Sequence, residues 1–101
     1  MTYTRLEYFI SLGISGRPED IDLLMQALIT QDDLATFKLV DFALSHVSTT
    51  EGVQHLRYYL FHGLRPQRNY AALYFKRRGF VDTLQEALSQ GAIDWEQGFA
   101  S

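Results

Sequence analysis

The stretch Leu34-Ala35-Thr36-Phe37-Lys38-Leu39-Val40-Asp41-Phe42-Ala43-Leu44-Ser45-His46-Val47 decides the fold class. Drawn as a helix, it is apolar almost all round, and Lys38, Asp41 and Ser45 share one narrow polar stripe. A helix that is apolar on most sides is buried on most sides. This third helix is therefore expected at the centre of the fold, with Leu34, Phe37, Val40 and Leu44 nearly enclosed.

Helix start and stop signals flank it in both directions. Thr4-Arg5-Leu6-Glu7 has capping-box spacing, in which hydroxyl and carboxylate each satisfy an orphan N–H. Leu6, Phe9 and Ile10 follow as an apolar stripe, and Gly13 to Gly16 should end this first helix. Pro18 suits a first helical position, where its missing N–H costs nothing. Glu19, Asp20 and Asp22 place negative charge where the helix dipole favours it. Ile21, Leu24, Met25 and Leu28 form the apolar face of this second helix.

Beyond the central stretch, Ser48-Thr49-Thr50-Glu51 reads as a second capping box, with Ser48 as the cap. A fourth helix then runs to about His62 with Val53, Leu56 and Leu60 inward, and Gly63 stops it. Pro66 opens a fifth helix that Gly79 closes. Val81, Leu84 and Leu88 mark a sixth, closed by Gly91, and Asp94 caps a last short turn carrying Trp95 and Phe99. No run alternates with period two between hairpin turns, so no sheet is expected. The class is all-α: about six short antiparallel helices in one domain over residues 1–101, joined by short connections.

Composition agrees with a packed domain. The chain has 101 residues, 47% hydrophobic and 14% aromatic against 21% charged, a balance that disordered chains lack. It has no cysteine, which excludes disulfides, thiolate metal sites and cysteine nucleophiles. No apolar run approaches the ~20 residues of a spanning helix, and the N-terminus lacks a signal-peptide pattern. A cytoplasmic protein with no membrane partner is the expectation.

The chain shows weak internal similarity. Gly16-Arg17-Pro18 is matched by Gly63-Leu64-Arg65-Pro66, and Leu24-Met25-Gln26-Ala27-Leu28 by Leu84-Gln85-Glu86-Ala87-Leu88. At the level of pattern, over most of the chain, this resembles the HEAT or armadillo class of α-helical repeats. The resemblance implies stacked helix pairs in a short right-handed superhelix. A compact orthogonal bundle of the same helices is the alternative.

Catalytic constellations are missing from the spacing: there is no Gly-rich phosphate loop, no His-Glu-x-x-His and no nucleophile elbow. His55 and His62 lie two turns apart, about 10 Å, too far for one metal without a third element. His46 sits where it offsets a helix C-terminal dipole. The acids Glu19, Asp20, Asp22, Asp32 and Asp33 fall at helix starts, where capping and dipole effects explain them. They lack the ligand spacing of a calcium loop. Neither a cofactor nor an enzyme activity is expected.

The basic residues are unevenly placed. The net charge is −3, and the first fifty residues carry three basic and seven acidic side chains. Between Gly52 and Val81 there is no Asp or Glu at all, yet Arg57, Arg65, Arg68, Lys76, Arg77 and Arg78 fall there. Tyr58, Tyr59, Phe61, Tyr70, Tyr74 and Phe75 are interleaved with them. Arginine beside aromatic rings makes protein-interface hot spots, and it also stacks on bases and holds phosphates. A structural role competes with both: Arg77 and Arg78 end the fifth helix, where cations complement the dipole. The favoured expectation is a non-enzymatic protein-interaction module. Arg57, Tyr58, Tyr59, Arg65, Arg68, Lys76, Arg77 and Arg78 would form its binding face. Nucleic acid or another phosphate ligand on the same face is the alternative, and self-association would cover open repeat ends.

Overall fold

The computed structural model describes residues 4–99 and is all-α. Seven helices occur among the described residues, and no strand. They are α1 (Arg5–Ser15), α2 (Pro18–Thr30), α3 (Leu34–Leu44), α4 (Thr50–His62), α5 (Arg65–Arg77), α6 (Val81–Ser89) and α7 (Trp95–Phe99). The seventh is the short turn foreseen after Asp94. The chain forms two compact units; one ends at His55 and the other begins at Leu56.

Caps set the helix ends of the first unit. Thr4 Oγ1 accepts from the Glu7 N–H at 3.0 Å, and Glu7 Oε1 accepts from the Thr4 N–H at 3.2 Å. That is the reciprocal capping box the sequence spells. Gly16 ends α1 in the left-handed region at φ 62°, a conformation that costs glycine nothing. Pro18 is the first residue of α2. Asp33 caps α3: its Oδ1 accepts from the Thr36 N–H at 2.7 Å. That bond holds the Asp33 carboxyl below its ordinary pKa.

α1, α2 and α3 pack pairwise on one another. Ile21, Leu24, Met25, Leu28, Val40, Ala43 and Leu44 are buried within this group. α1 and α3 run in the same direction. Arg5 donates to Thr36 near the two starts, and Gly13 lies on Ala43 near the two ends. The crossing is too close for any side chain. A Cβ on Gly13 would lie 1.9 Å from the Ala43 carbonyl oxygen. Gly13 is therefore a packing residue, and Gly16 alone is the stop.

α3 is not enclosed in the way its pattern implies. Val40 and Leu44 are buried, Phe37 is half-buried, and Leu34 and Phe42 stay 65% and 51% exposed. α1 and α2 cover only one side of α3, so a nearly all-apolar helix leaves part of its apolar surface uncovered.

The cap of α4 also differs from the expected one. The hydroxyl that accepts from the Gly52 N–H, at 3.0 Å, belongs to Thr49 and not to Ser48. Thr49 Oγ1 also donates to the Gly16 carbonyl at 2.7 Å. Only the second of the two adjacent hydroxyls reaches both groups. His55, on the part of α4 in this unit, pairs with Asp22 of α2 at 2.6 Å. His46 Nδ1 lies 2.9 Å from the Phe42 carbonyl and donates to it, so the imidazole satisfies an orphan carbonyl at the end of α3.

In the second unit α5, α6 and α7 pack pairwise. Ala71, Ala72, Tyr74, Phe75, Leu84, Ala87 and Ile93 are buried there. Gly79 and Gly91, both at φ 74°, end α5 and α6. Asp94 and Gln97 form a full capping box at the start of α7, with both bonds at 2.8 Å. Among the described residues no helix is long and apolar enough to cross a membrane.

Candidate interaction surface on α4 and α5

The eight candidate residues all lie in the second unit. Arg57, Tyr58 and Tyr59 belong to α4, Arg65, Arg68, Lys76 and Arg77 to α5, and Arg78 is the α5 C-cap. Arg57 lies 4.6 Å above the ring of Phe61, one turn on, and 2.8 Å from a carboxylate oxygen of Glu86 in α6. Tyr58 packs edge-on against Tyr59 at 5.7 Å and reaches the ring of His62 at 5.1 Å. It remains 54% exposed.

Along α5 the cations divide. Arg65 lies 3.4 Å from Asp94. The Asp94 carboxyl is held below its ordinary pKa, first by the Gln97 N–H and then by Arg65. The Arg68 Nε is buried and has no hydrogen-bond partner among the described residues, and a buried unmatched donor costs about 1–3 kcal/mol. Arg78 folds back over the ring of Tyr74 at 4.6 Å. Burial pushes the Tyr74 hydroxyl above its ordinary pKa, and the Arg78 charge opposes that shift. Lys76 and Arg77 occupy the last turn of α5, where the dipole favours positive charge.

The acid-free interval of the sequence is thus not acid-free in space. Glu86 and Asp94, both beyond Val81, come back onto Arg57 and Arg65. Both pairs are substantially exposed and stabilise little, but they cut the local positive charge.

Two of the candidates line one cleft. Arg65 and Lys76 border an open cleft of about 370 Å³ on the α5–α7 side of the unit, with Asn69, Tyr70, Leu73, Glu96 and Gln97. Gln97 donates to Asn69 across it. Asn69, Leu73, Glu96 and Gln97 were not among the sequence candidates. The signal for the first two is the spacing 65, 69, 73, 76, which puts four residues on one helix face. In α7, Trp95 stacks on Phe99 at 4.9 Å and remains 63% exposed.

Comparison with protein families, with curated proteins and with solved structures found no match in any of the three.

Among the described residues no three His, Asp or Glu side chains gather closely enough to hold a metal ion. The second unit carries guanidinium groups on rings, side-chain amides, and exposed indole and phenol faces.

Proposed function

We propose that the chain is a small non-enzymatic interaction module that binds a protein partner through the basic and aromatic residues of α4 and α5. One observation carries the reading. Glu86 pairs with Arg57 and Asp94 with Arg65, which cuts the positive charge of the segment, while Tyr58 and Trp95 stay more than half exposed. A polyanion surface depends on unopposed charge. A protein interface depends on aromatic and arginine anchors within a mixed surface, and the second unit carries that mixture. The HEAT-like reading of the helix pairs, with Pro18 and Pro66 opening corresponding helices, and a cytoplasmic setting belong to the same proposal.

The test is a selection of binding peptides from a random library, followed by titration of the winners. Truncating Tyr58 or Tyr59 to alanine should weaken such binding by about 2 kcal/mol, and salt should have little effect. A labelled mixed-sequence oligonucleotide serves as the counter-test. Tight oligonucleotide binding that falls steeply with salt and disappears in an Arg68→Glu, Lys76→Glu, Arg78→Glu triple variant would overturn the proposal in favour of a nucleic-acid binder.

A further inference from the structure

We infer that the chain pairs with a second copy of itself through the side of α1 and α3 that α2 leaves uncovered. The inference uses the first unit alone and is independent of the α4–α5 reading. On α1, Gly13 faces α3, and Ser15 faces α2, where its hydroxyl donates to Asp20. Turning past Gly13, away from Ser15, brings up Leu6, Ile10 and Ile14, one residue per turn. On α3, Ala43 faces α1, and Val40 and Leu44 are buried on one flank of it. Leu39 and Phe42 lie on the other flank. Leu6, Ile14 and Phe42 are exposed, and Ile10 and Leu39 are half-buried. Both flanks turn away from α2, so these five side chains form one apolar face across two helices. Contiguous exposed apolar surface of this kind marks an interaction site.

The register of the two helices says what covers the face. α1 and α3 run in the same direction, with Gly13 level with Ala43. Counted from that crossing, Leu39 falls between the levels of Leu6 and Ile10, and Phe42 between those of Ile10 and Ile14. A second copy turned by a half rotation about an axis parallel to the helices lays its α3 on this α1 with the levels unchanged. Its Leu39 and Phe42 then enter the spaces between Leu6, Ile10 and Ile14. The same contacts form with the roles exchanged, as a two-fold interface requires.

Charge selects the same axis. Glu7 borders the face on the outer edge of α1, and Lys38 on the outer edge of α3. Glu7 lies six residues before Gly13 and Lys38 five before Ala43, so their levels differ by about 1.5 Å. The Glu7 carboxylate holds the uncharged Thr4 N–H, and Lys38 enters no ion pair among the described residues. Asp41 lies further round α3, away from the face. The half rotation sets Glu7 of each copy beside Lys38 of the other. A rotation about an axis across the helices would instead gather like charges on each edge. Both helices have 11 residues, about 16 Å, which puts the interface at the small, reversible end of the biological range.

The test is sedimentation equilibrium of the full chain over roughly 10 µM to 1 mM, where weak interfaces associate. A monomer–dimer equilibrium is expected. Ile14→Gln should weaken it by about tenfold or more, because the change enters a two-fold interface twice. Lys38→Glu should weaken it by about fivefold, and the double variant Glu7→Lys, Lys38→Glu should restore it by exchanging the charges. Leu23→Gln, at an exposed position of α2 outside the face, should leave association unchanged. Far-ultraviolet circular dichroism and melting temperature verify that each variant is folded. A carbodiimide, which joins a carboxylate to an amine in contact with it, should give the unsubstituted chain a covalent dimer linked from Glu7 to Lys38. Within one copy the two residues stand on opposite edges of the face and cannot be joined.

A chain that stays monomeric throughout would overturn the inference. So would a dimer indifferent to Ile14→Gln and Lys38→Glu, or one in which the carbodiimide links other residues and never Glu7 to Lys38. A monomeric chain whose Leu6 and Phe42 respond instead to an added amphipathic helical peptide would assign the face to a different partner and equally sink the pairing of copies.

Discussion

Replacing Gly13 by alanine tests the packing of the first unit with a change of one methyl group. Alanine is the better helix former, by about 1 kcal/mol in a helix interior. On local grounds alone the variant should therefore be more stable. The structure predicts the opposite sign. The new methyl would sit 1.9 Å from the Ala43 oxygen and 2.8 Å from its carbonyl carbon. Ordinary carbon contacts begin near 3.5 Å, so the helices must part by about 1.5 Å. The obstructing atoms are backbone, and no rotamer change removes them. Overpacking of this kind costs typically 1–3 kcal/mol, and a clash with backbone belongs at the upper end. Subtracting the propensity gain leaves a net loss of about 2 kcal/mol. That corresponds to a fall in melting temperature of roughly 10 °C for a chain of this size. Urea unfolding followed by circular dichroism at 222 nm reads the free energy, and an unchanged m value shows that the unfolded state is unaltered. A Gly13→Ala variant as stable as the parent, or more so, would refute the close crossing of α1 and α3.

Three other perturbations follow from the same geometry. Leu24→Ala should cost about 2–5 kcal/mol, since Leu24 is fully buried. Leu34→Ala, on the open side of α3, should change stability by less than about 0.5 kcal/mol; equal losses in urea titrations would contradict the burial pattern. Thr49→Ala removes an acceptor for Gly52 and a donor to Gly16 and should cost about 1–2 kcal/mol, whereas Ser48→Ala should be close to neutral, a contrast that thermal melts resolve. Asp20, Asp33 and Asp94 all titrate below their ordinary value in the folded chain: for Asp20 the Ser15 hydroxyl is the largest cause, and for the other two a backbone N–H. A lowered folded-state pKa contributes stability that is present above the unfolded value, near 3.9, and is lost as pH falls through the folded value. Unfolding free energy should therefore hold between about pH 7 and 5 and drop below about pH 4; a rise on acidification would contradict these bonds.

The helix ends were legible because each is written within four residues. Thr4 with Glu7, Pro18, Gly79, Gly91 and Asp94 perform in space the roles their spacing announces. The central stretch was less legible. A pattern that is apolar on nearly every side does not say which side is covered, and Leu34 and Phe42 lie on the uncovered one. Gly13 and Gly16 look alike as stop signals. Only the arrival of Ala43, thirty residues away, separates the packing glycine from the turn glycine. Ser48 and Thr49 are likewise equivalent until the Gly16 carbonyl selects between them. The candidate surface was legible as a composition of arginine and aromatic residues. Its charge was not, because Glu86 and Asp94 are distant in sequence from the cations they meet. The cleft depended on a face of α5 defined by Asn69 and Leu73, residue types that announce no chemistry by themselves.

The Thr49 hydroxyl has a consequence for how the first unit opens. It holds the Gly52 amide while it is itself held by the Gly16 carbonyl, so that amide is shielded only while the turn between α1 and α2 and the start of α4 are both in place. Helix starts usually exchange their amide hydrogens with solvent quickly, because the first turn frays alone. Here fraying of α4 requires a bond to the α1–α2 turn to break with it. Deuterium uptake at Gly52 should therefore be slow and should track the exchange of Gly16's neighbours in α1, and a single amide becomes a clock for the cooperative opening of that unit.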